Sequence, residues 1–319
     1  MTHEPATDLI SEALQQVRLS GAVLFCVDLG APWCLLTSEN MRLPPPASHV
    51  ALFHVVVEGE CWARVEGSAE HLQAGDAVIL PRADVHSLGD RADGVPTPAS
   101  ALYGNTPLSQ LPHHLQWGGD GPRTRILCGF LGYERAAFTP LFDALPSLFR
   151  VRLGAGGSER PLDAMLRYIE NEVLASRPGS ASLRVRMAEL LFVESLRRHM
   201  ADLPPEGSGW LAAVRDPLVG RALSLLHMAP QRPWNIERLA RETATSRTRL
   251  TDRFNRVLGE PPMQYLTRWR MFLAARRLRE SRDSVATVAE AMGYESTAAF
   301  QRAFKRLMGA TPAQWRRRD

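Results

Sequence analysis

The sequence predicts an α+β multidomain protein: an N-terminal antiparallel β-barrel or sandwich, a helical hairpin, and a C-terminal all-α domain with two helix-turn-helix units. Three observations carry this. Short β-rich runs punctuated by Gly, Pro and Asp fill the first half, and a helical apolar period sets in near Pro161. RETATSRTRLTDRFNRVLG (Arg241 to Gly259) is then loosely repeated as AEAMGYESTAAFQRAFKRLMG (Ala289 to Gly309). With 319 residues the chain is too long for one ordinary domain and comfortable for two. The expected boundaries are a β-rich domain over 1–155, a hairpin over 156–203, a linker over 204–213 and the helix-turn-helix domain over 214–319.

Taken in order, Thr7 to Val17 spaces Leu9, Ile10, Ala13, Leu14 and Val17 as one face of a short amphipathic helix. The runs AVLFCVDL, WCLLT, VALFHVVVEG, CWARVEG, DAVILP and RILCGFLGY follow as strands. Residues 89–121, rich in Pro, Gly and His, are expected to form a long surface excursion in which His113 and His114 are solvated. Leu162, Met165, Leu166, Ile169 and Val173 then make one apolar stripe, and Leu183, Val185, Met187, Leu190, Leu191, Val193 and Leu196 a broader one. A hairpin this apolar has more surface to cover than its own β-domain requires, which suggests a subunit interface. LPPEGSG (Leu203 to Gly209) is the linker.

Charge is divided unevenly. From Trp210 onward there are 21 Arg and Lys against 10 Asp and Glu, whereas the preceding residues carry 17 against 24. The C-terminal part is therefore suited to a polyanion. No apolar run is long enough to span a bilayer and no signal peptide is evident, so the expected location is the cytoplasm, with no membrane partner. The cysteines, Cys26, Cys34, Cys61 and Cys128, are there read as reduced thiols, metal ligands or a redox switch.

In the first helix-turn-helix unit, Asn235 caps a helix that turns Ile236, Leu239 and Ala240 inward. Thr245 and Ser246 break the chain and cap a second helix packed through Leu250, Phe254 and Val257. Arg247, Thr248, Thr251 and Asp252 lie at its outward N-terminal end, where a recognition helix meets base edges. A helix of about nineteen residues from Pro261 to Ser281, on the order of 28 Å long, separates the units by roughly one turn of DNA. In the second unit Val285, Val288, Ala289, Met292, Phe300, Phe304 and Leu307 face inward, Gly293 makes the turn and Ser296 caps. Thr297, Ala298, Gln301 and Arg302 face outward; Gln and Arg can pair bidentately with adenine and guanine. Arg249, Arg253, Arg256, Lys305, Arg306 and Arg316 to Arg318 are read as phosphate contacts.

The two units, their joining helix and the closing GYESTAAFQRAFKRLMGATPAQWRR resemble the AraC/XylS family of transcription regulators over about Val214 to Arg318. The resemblance implies tandem units that bind double-stranded promoter DNA, a sensing and often dimerising N-terminal domain, and RNA polymerase as a partner. It places base contacts on Thr248, Thr251, Asp252, Thr297, Ala298, Gln301 and Arg302; Asp252 departs from the basic or amide residue expected there.

GDAVILPRADVHSL (Gly75 to Leu88) resembles the second motif of the cupin family, with His86 pointing into the barrel. VALFHVVVEGE (Val50 to Glu60) stands where the first motif belongs, but its histidine pair is reduced to His54 and Glu58 is a poor substitute for the usual carboxylate. A cupin retained for sensing rather than catalysis is implied. With Cys26 and Cys128, the arrangement looks like the cupin-bearing branch of the AraC/XylS family, which includes regulators responding to reactive chlorine. Convergence of Cys26, His54, His86 and Cys128 would give a tetrahedral zinc set or a redox pair, with buried hydrophobic thiols as the plain alternative. Otherwise the effector is an unknown small molecule. The rivals to a homodimeric sensor-regulator are a cupin metalloenzyme fused to a DNA-binding module and an architectural DNA binder.

Overall fold

A computed structural model describes residues 8–11, 18–37, 49–104, 106, 114–134, 140–154, 161–175, 177–204 and 207–317. The chain forms two compact units, one of residues 18–134 and 145–202, the other of 1–17, 135–144 and 203–319. Of the helix expected over Thr7 to Val17, Leu9 to Ser11 are helical and residues 7 and 12–17 lie outside the described residues.

The first unit is built on two sheets. Its strands are β1 (Arg18–Gly30), β2 (Cys34–Thr37), β3 (His49–Glu58), β4 (Glu60–Val65), β5 (Ser68–Gln73), β6 (Asp76–Leu80), β7 (His86–Gly89), β8 (Thr97–Pro98), β9 (His114–Gly118), β10 (Arg123–Glu134) and β11 (Phe149–Arg152). One sheet runs β11-β6-β3-β10-β1-β9 and the other β5-β4-β7-β2-β8. Side chains of both sheets, including Phe25, Leu35, Leu52, Ala63, Val78, Leu88 and Phe130, share one core. The central pairings are antiparallel as expected, but β9 on β1 and β8 on β2 are parallel. Both lie in the stretch read as a long excursion, which also holds a helical turn at Ser100–Tyr103. The exposed residues of β9 gave no apolar alternation by which a strand could be read.

β3 is buried on both faces, which explains its unbroken apolar run. Leu52, His54 and Val56 face the core between the sheets, and Ala51, Phe53 and Val55 face the other way. On that outer face the Phe53 ring lies over Gly129, where a Cβ would stand 1.9 Å from its Cζ, so β10 needs glycine there. The helices α1 (Pro161–Leu174) and α2 (Ser180–Asp202) form the expected hairpin and pack on β1, with α2 reaching β6, β10 and β11. Leu166, Ile169, Val173, Met187, Leu191 and Leu196 are buried in it. Leu190, expected on the buried stripe, is instead 48% exposed, because a broad stripe on one helix exceeds what one sheet can cover.

The second unit contains α3 (Trp210–Arg215), α4 (Pro217–Met228), α5 (Ile236–Glu242), α6 (Arg247–Leu258), α7 (Pro262–Glu280), α8 (Val285–Ala291), α9 (Thr297–Met308) and α10 (Pro312–Arg316). The linker expected over 204–213 is shorter than read: Trp210 opens α3 and is 3% exposed. Residues 205 and 206 lie outside the described residues. Asn235, Ser246, Ser284 and Ser296 cap α5, α6, α8 and α9, each accepting from the backbone N–H three residues on. α6 and α9 end on Gly259 and Gly309 in the left-handed conformation. The 19-residue α7 serves two cores. Near its start Tyr265 meets Phe254 of α6 edge-on, and further along Met271, Ala274, Ala275 and Leu278 pack with Val288, Phe300 and Phe304. Leu307, read as inward, is 39% exposed, and Met308 packs against that core in its place.

Candidate nucleic-acid interface and sensor core

On α6, Thr248, Arg249, Asp252 and Arg256 are exposed and Thr251 is half-buried; on α9, Ala298, Gln301, Arg302, Lys305 and Arg306 are exposed and Thr297 is half-buried. Each recognition helix thus presents its expected N-terminal face outward, because the phenylalanines and leucines on the opposite side fix its rotation. Not every arginine there is available. Arg247 pairs with Glu237 of α5 at 2.8 Å, an exposed pair that a phosphate or base can displace. Arg253, read as a phosphate contact, instead grips Asp216 Oδ2 through Nε and Nη2 at 2.7 and 2.6 Å. Asp216 is buried, and its other oxygen accepts from the N–H groups of Leu218 and Val219 to cap α4. Arg316 is likewise withdrawn from the phosphate set, donating to the carbonyls of Leu278 and Asp283, while Arg318 lies outside the described residues.

In the first unit, three of the four residues proposed as metal or redox ligands come together in the core. His54 Nδ1 lies 3.2 Å from Cys128 Sγ, and His54 Nε2 lies 2.9 Å from His86 Nε2. His86 Nδ1 is 2.9 Å from the Asp84 carbonyl, and Thr37 Oγ1 is 3.1 Å from His86 Nε2. A carbonyl only accepts, so His86 Nδ1 donates to it. For neutral rings the rest follows: His54 Nε2–H donates to His86 Nε2, and the Cys128 thiol donates to His54 Nδ1. Burial favours this neutral state. It holds His54 well below the ordinary imidazole value, with a smaller push from His86, and lowers His86 to about 4. Burial likewise pushes Cys128 well above the ordinary thiol value.

Cys26 does not join them. It pairs with Leu127, whereas Phe25 pairs with Cys128, so by strand alternation Cys26 stands on the outer face and Cys128 on the core face. There burial, and then Asp28, raise its thiol to about 12. Side chains on opposite faces cannot close a disulfide without moving the backbone. Nor do the remaining three residues suit one ion. An ion takes one nitrogen of an imidazole, and the His54 ring already lies between Cys128 on one nitrogen and His86 on the other. Among the described residues no group of three or more His, Cys, Asp or Glu is arranged to hold a metal ion. The four-ligand zinc set does not fit this arrangement, and Glu58, at the edge of β3, is exposed.

A charge network on the outer face escaped the reading of the sequence. Arg125 donates to Asp28 at 2.6 Å and to Glu170 of α1 at 3.0 Å, tying the sheet to the hairpin. His114, expected to be solvated, opens β9 and lies 2.8 Å from Asp28; His113 lies outside the described residues. Strand spacing gives no hint of partners so far apart in sequence.

A cupin family model matches residues 8–201, and a helix-turn-helix domain model matches residues 239–318. The chain is 32% identical over 316 residues, 98% of its own length and 98% of the other, to an AraC-like transcription regulator of Streptomyces antibioticus. It belongs to the AraC-like transcription regulators. Another AraC-like regulator, from Streptomyces lividans, is 33% identical over 85% of this chain and 88% of that protein. The RCS-specific HTH-type transcriptional activator RclR of Escherichia coli K12 is 25% identical over 89% of this chain and 91% of that protein. The chain is thus an AraC-like DNA-binding transcription regulator with a cupin domain, and the names of its relatives point away from the enzyme alternative. No described helix of this AraC-like chain is long and apolar enough to cross a membrane.

Proposed function

We propose that this regulator senses a chemical signal in its cupin core, at the Cys128–His54–His86 chain, and passes it to promoter binding by α6 and α9. The hydrogen-bonded chain carries the reading. Three polar side chains buried among leucines, valines and phenylalanines are costly unless satisfied, and a ligand or oxidant that takes either end of the chain leaves His54 short of a partner. His86 also lines a groove of about 640 Å³ with Arg64, Glu66 and Asp84, a route toward the chain. The similarity to RclR, named for its specificity to RCS, supports an oxidant as one class of signal.

The second helix-turn-helix unit reads bases through Gln301 and Arg302 with Thr297 and Ala298, and the first through Arg247, Thr248, Thr251 and Asp252, while Arg249, Arg256, Lys305 and Arg306 hold phosphates. Homodimerisation through the hairpin belongs to the same reading, supported by the exposure of Tyr168, Leu174 and Leu190, as does contact with RNA polymerase. The test is promoter binding by full-length protein with and without hypochlorite, in the wild type, in Cys128→Ser and in His54→Phe. The signal response is expected to vanish in both variants while unsignalled DNA affinity stays. An undiminished response in both variants would overturn the reading.

A further inference from the structure

Residues 229–234, the connection from α4 to α5, belong to the first helix-turn-helix unit yet lie against the turn of the second. A Cβ on Gly293 would fall 2.3 Å from Gln231 O and 3.1 Å from Arg270 Nη2, so the loop, that turn and the middle of α7 meet at one point. Arg270 joins them there. Its Nε donates to Pro230 O at 2.6 Å and its Nη2 to Arg232 O at 2.8 Å, so one planar guanidinium grips two carbonyls of the same loop. The same group lies 5.8 Å from the centre of the Tyr294 ring, the residue after the second turn. Tyr294 in turn meets Phe300 of α9 edge-on.

The loop is itself braced. Trp234 N–H donates to Arg232 O at 2.7 Å and its indole N–H to Ala229 O at 2.9 Å, while the Arg232 and Arg238 guanidiniums lie over its ring at 4.9 and 5.7 Å. Helix-to-helix packing, by contrast, stays within each helix-turn-helix unit and its share of α7. α7 fixes how far apart the units lie, but two bodies joined along one rod can still roll about it. A contact away from the rod, made by a stiff loop, removes that freedom.

We propose that Arg270 is a positioning residue for DNA reading: by pinning the 229–234 loop beside Gly293 and Tyr294, it stops the two helix-turn-helix units from rolling on α7 and fixes the angle between α6 and α9. Its consequence for DNA rests on the two-helix reading above, whereas the clamp itself does not.

The clamp is tested by double electron–electron resonance on full-length protein spin-labelled at Asn255→Cys on α6 and Lys305→Cys on α9 and diluted with unlabelled chain. Both positions are exposed, and the native thiols are buried. Arg270→Met keeps the aliphatic stem and loses both donors, and is expected to broaden the distance distribution about twofold. Arg270→Lys, whose ammonium lacks the planar fork, should broaden it less. Circular dichroism checks that each variant is folded, and if Arg270→Met loses helix content, Arg270→Lys decides. An unchanged width in the folded variants overturns the proposal.

In parallel, unlabelled protein is titrated onto a duplex that the wild type selects from random sequence, and onto the same duplex with one base pair inserted between the two protected segments. Insertion is expected to weaken wild-type binding about tenfold and Arg270→Met binding only about threefold, since units free to roll can follow the rotated segment. Equal insertion penalties in the two proteins would overturn the role of Arg270 in DNA reading. A wild type indifferent to insertion would instead overturn the two-helix reading, with the clamp decided by the distance measurement.

Discussion

Arg253 and Asp216 form a two-pronged ion pair at 2.6 and 2.7 Å that ties the recognition helix α6 to the N-terminus of α4. Asp216 cannot release Arg253 without stranding a buried carboxylate, so the pair is a strut between the two helices. Arg253→Ala is expected to lower stability and DNA affinity while leaving the dependence of affinity on salt concentration unchanged. Arg256→Ala, at an exposed position, should reduce the slope of log affinity against log salt by about 0.9, the signature of one lost phosphate. Salt titrations of binding distinguish the two, and a reduced slope for Arg253→Ala would show that it meets phosphate after all.

Arg302 is exposed on α9 and no ion pair holds it among the described residues. If it reads a guanine, Arg302→Ala should cost about 1–3 kcal/mol of specific binding at constant salt and relax preference at one base pair. Competition with a non-specific duplex measures this, and an unchanged specificity ratio rules the role out.

The turns of the two helix-turn-helix units differ in one respect. Gly293 has φ of 74°, and the corresponding Ala244 has φ of 55°, a conformation that strains any residue with a Cβ. Ala244→Gly is expected to raise stability by up to about 1 kcal/mol. Gly293→Ala should do the reverse, and more severely, because its Cβ would stand 2.3 Å from Gln231 O. Denaturant titration of both variants is the measurement; equal effects would mean that the strain is relieved elsewhere.

His54 and His86 are neutral in the folded core, His86 with a pKa of about 4 and His54 held well below the ordinary 6.5. The unfolded chain takes up their protons near pH 6.5, whereas in the fold His86 resists until about pH 4 and burial holds His54 well below 6.5. Their contribution to stability is thus complete above pH 6.5 and is lost as the pH falls from 6.5 toward 4. Thermal melts over this interval should show a steeper decline for wild type than for His54→Phe. Parallel curves would show that the two rings do not titrate with folding.

The fold was legible in the sequence wherever a period was long enough to count. α7, the caps at Asn235, Ser246 and Ser296, and the runs that became β1, β3 and β10 all carry their own pattern. α3 and α4 were missed, although Asp216 followed by Pro217 is an N-cap followed by a residue suited to the first helical turn. His54, His86 and Cys128 could be named from motif positions, but Cys26 could not be excluded without the register of β1 on β10, since one residue of slip reverses the face it occupies. The pairing of Arg253 with Asp216 spans 37 positions and leaves no periodic trace.

Because α7 lends its first turns to one helix-turn-helix core and its later turns to the other, the unit behaves as a ruler with both ends welded. A promoter cannot stretch it. Inserting a single base pair between the two contacted segments rotates one away from the other by roughly 35°, at about 10.5 base pairs per turn, and moves it about 3.4 Å along the axis. If both helix-turn-helix units meet DNA, the spacing between the two contacted segments is therefore set by the protein.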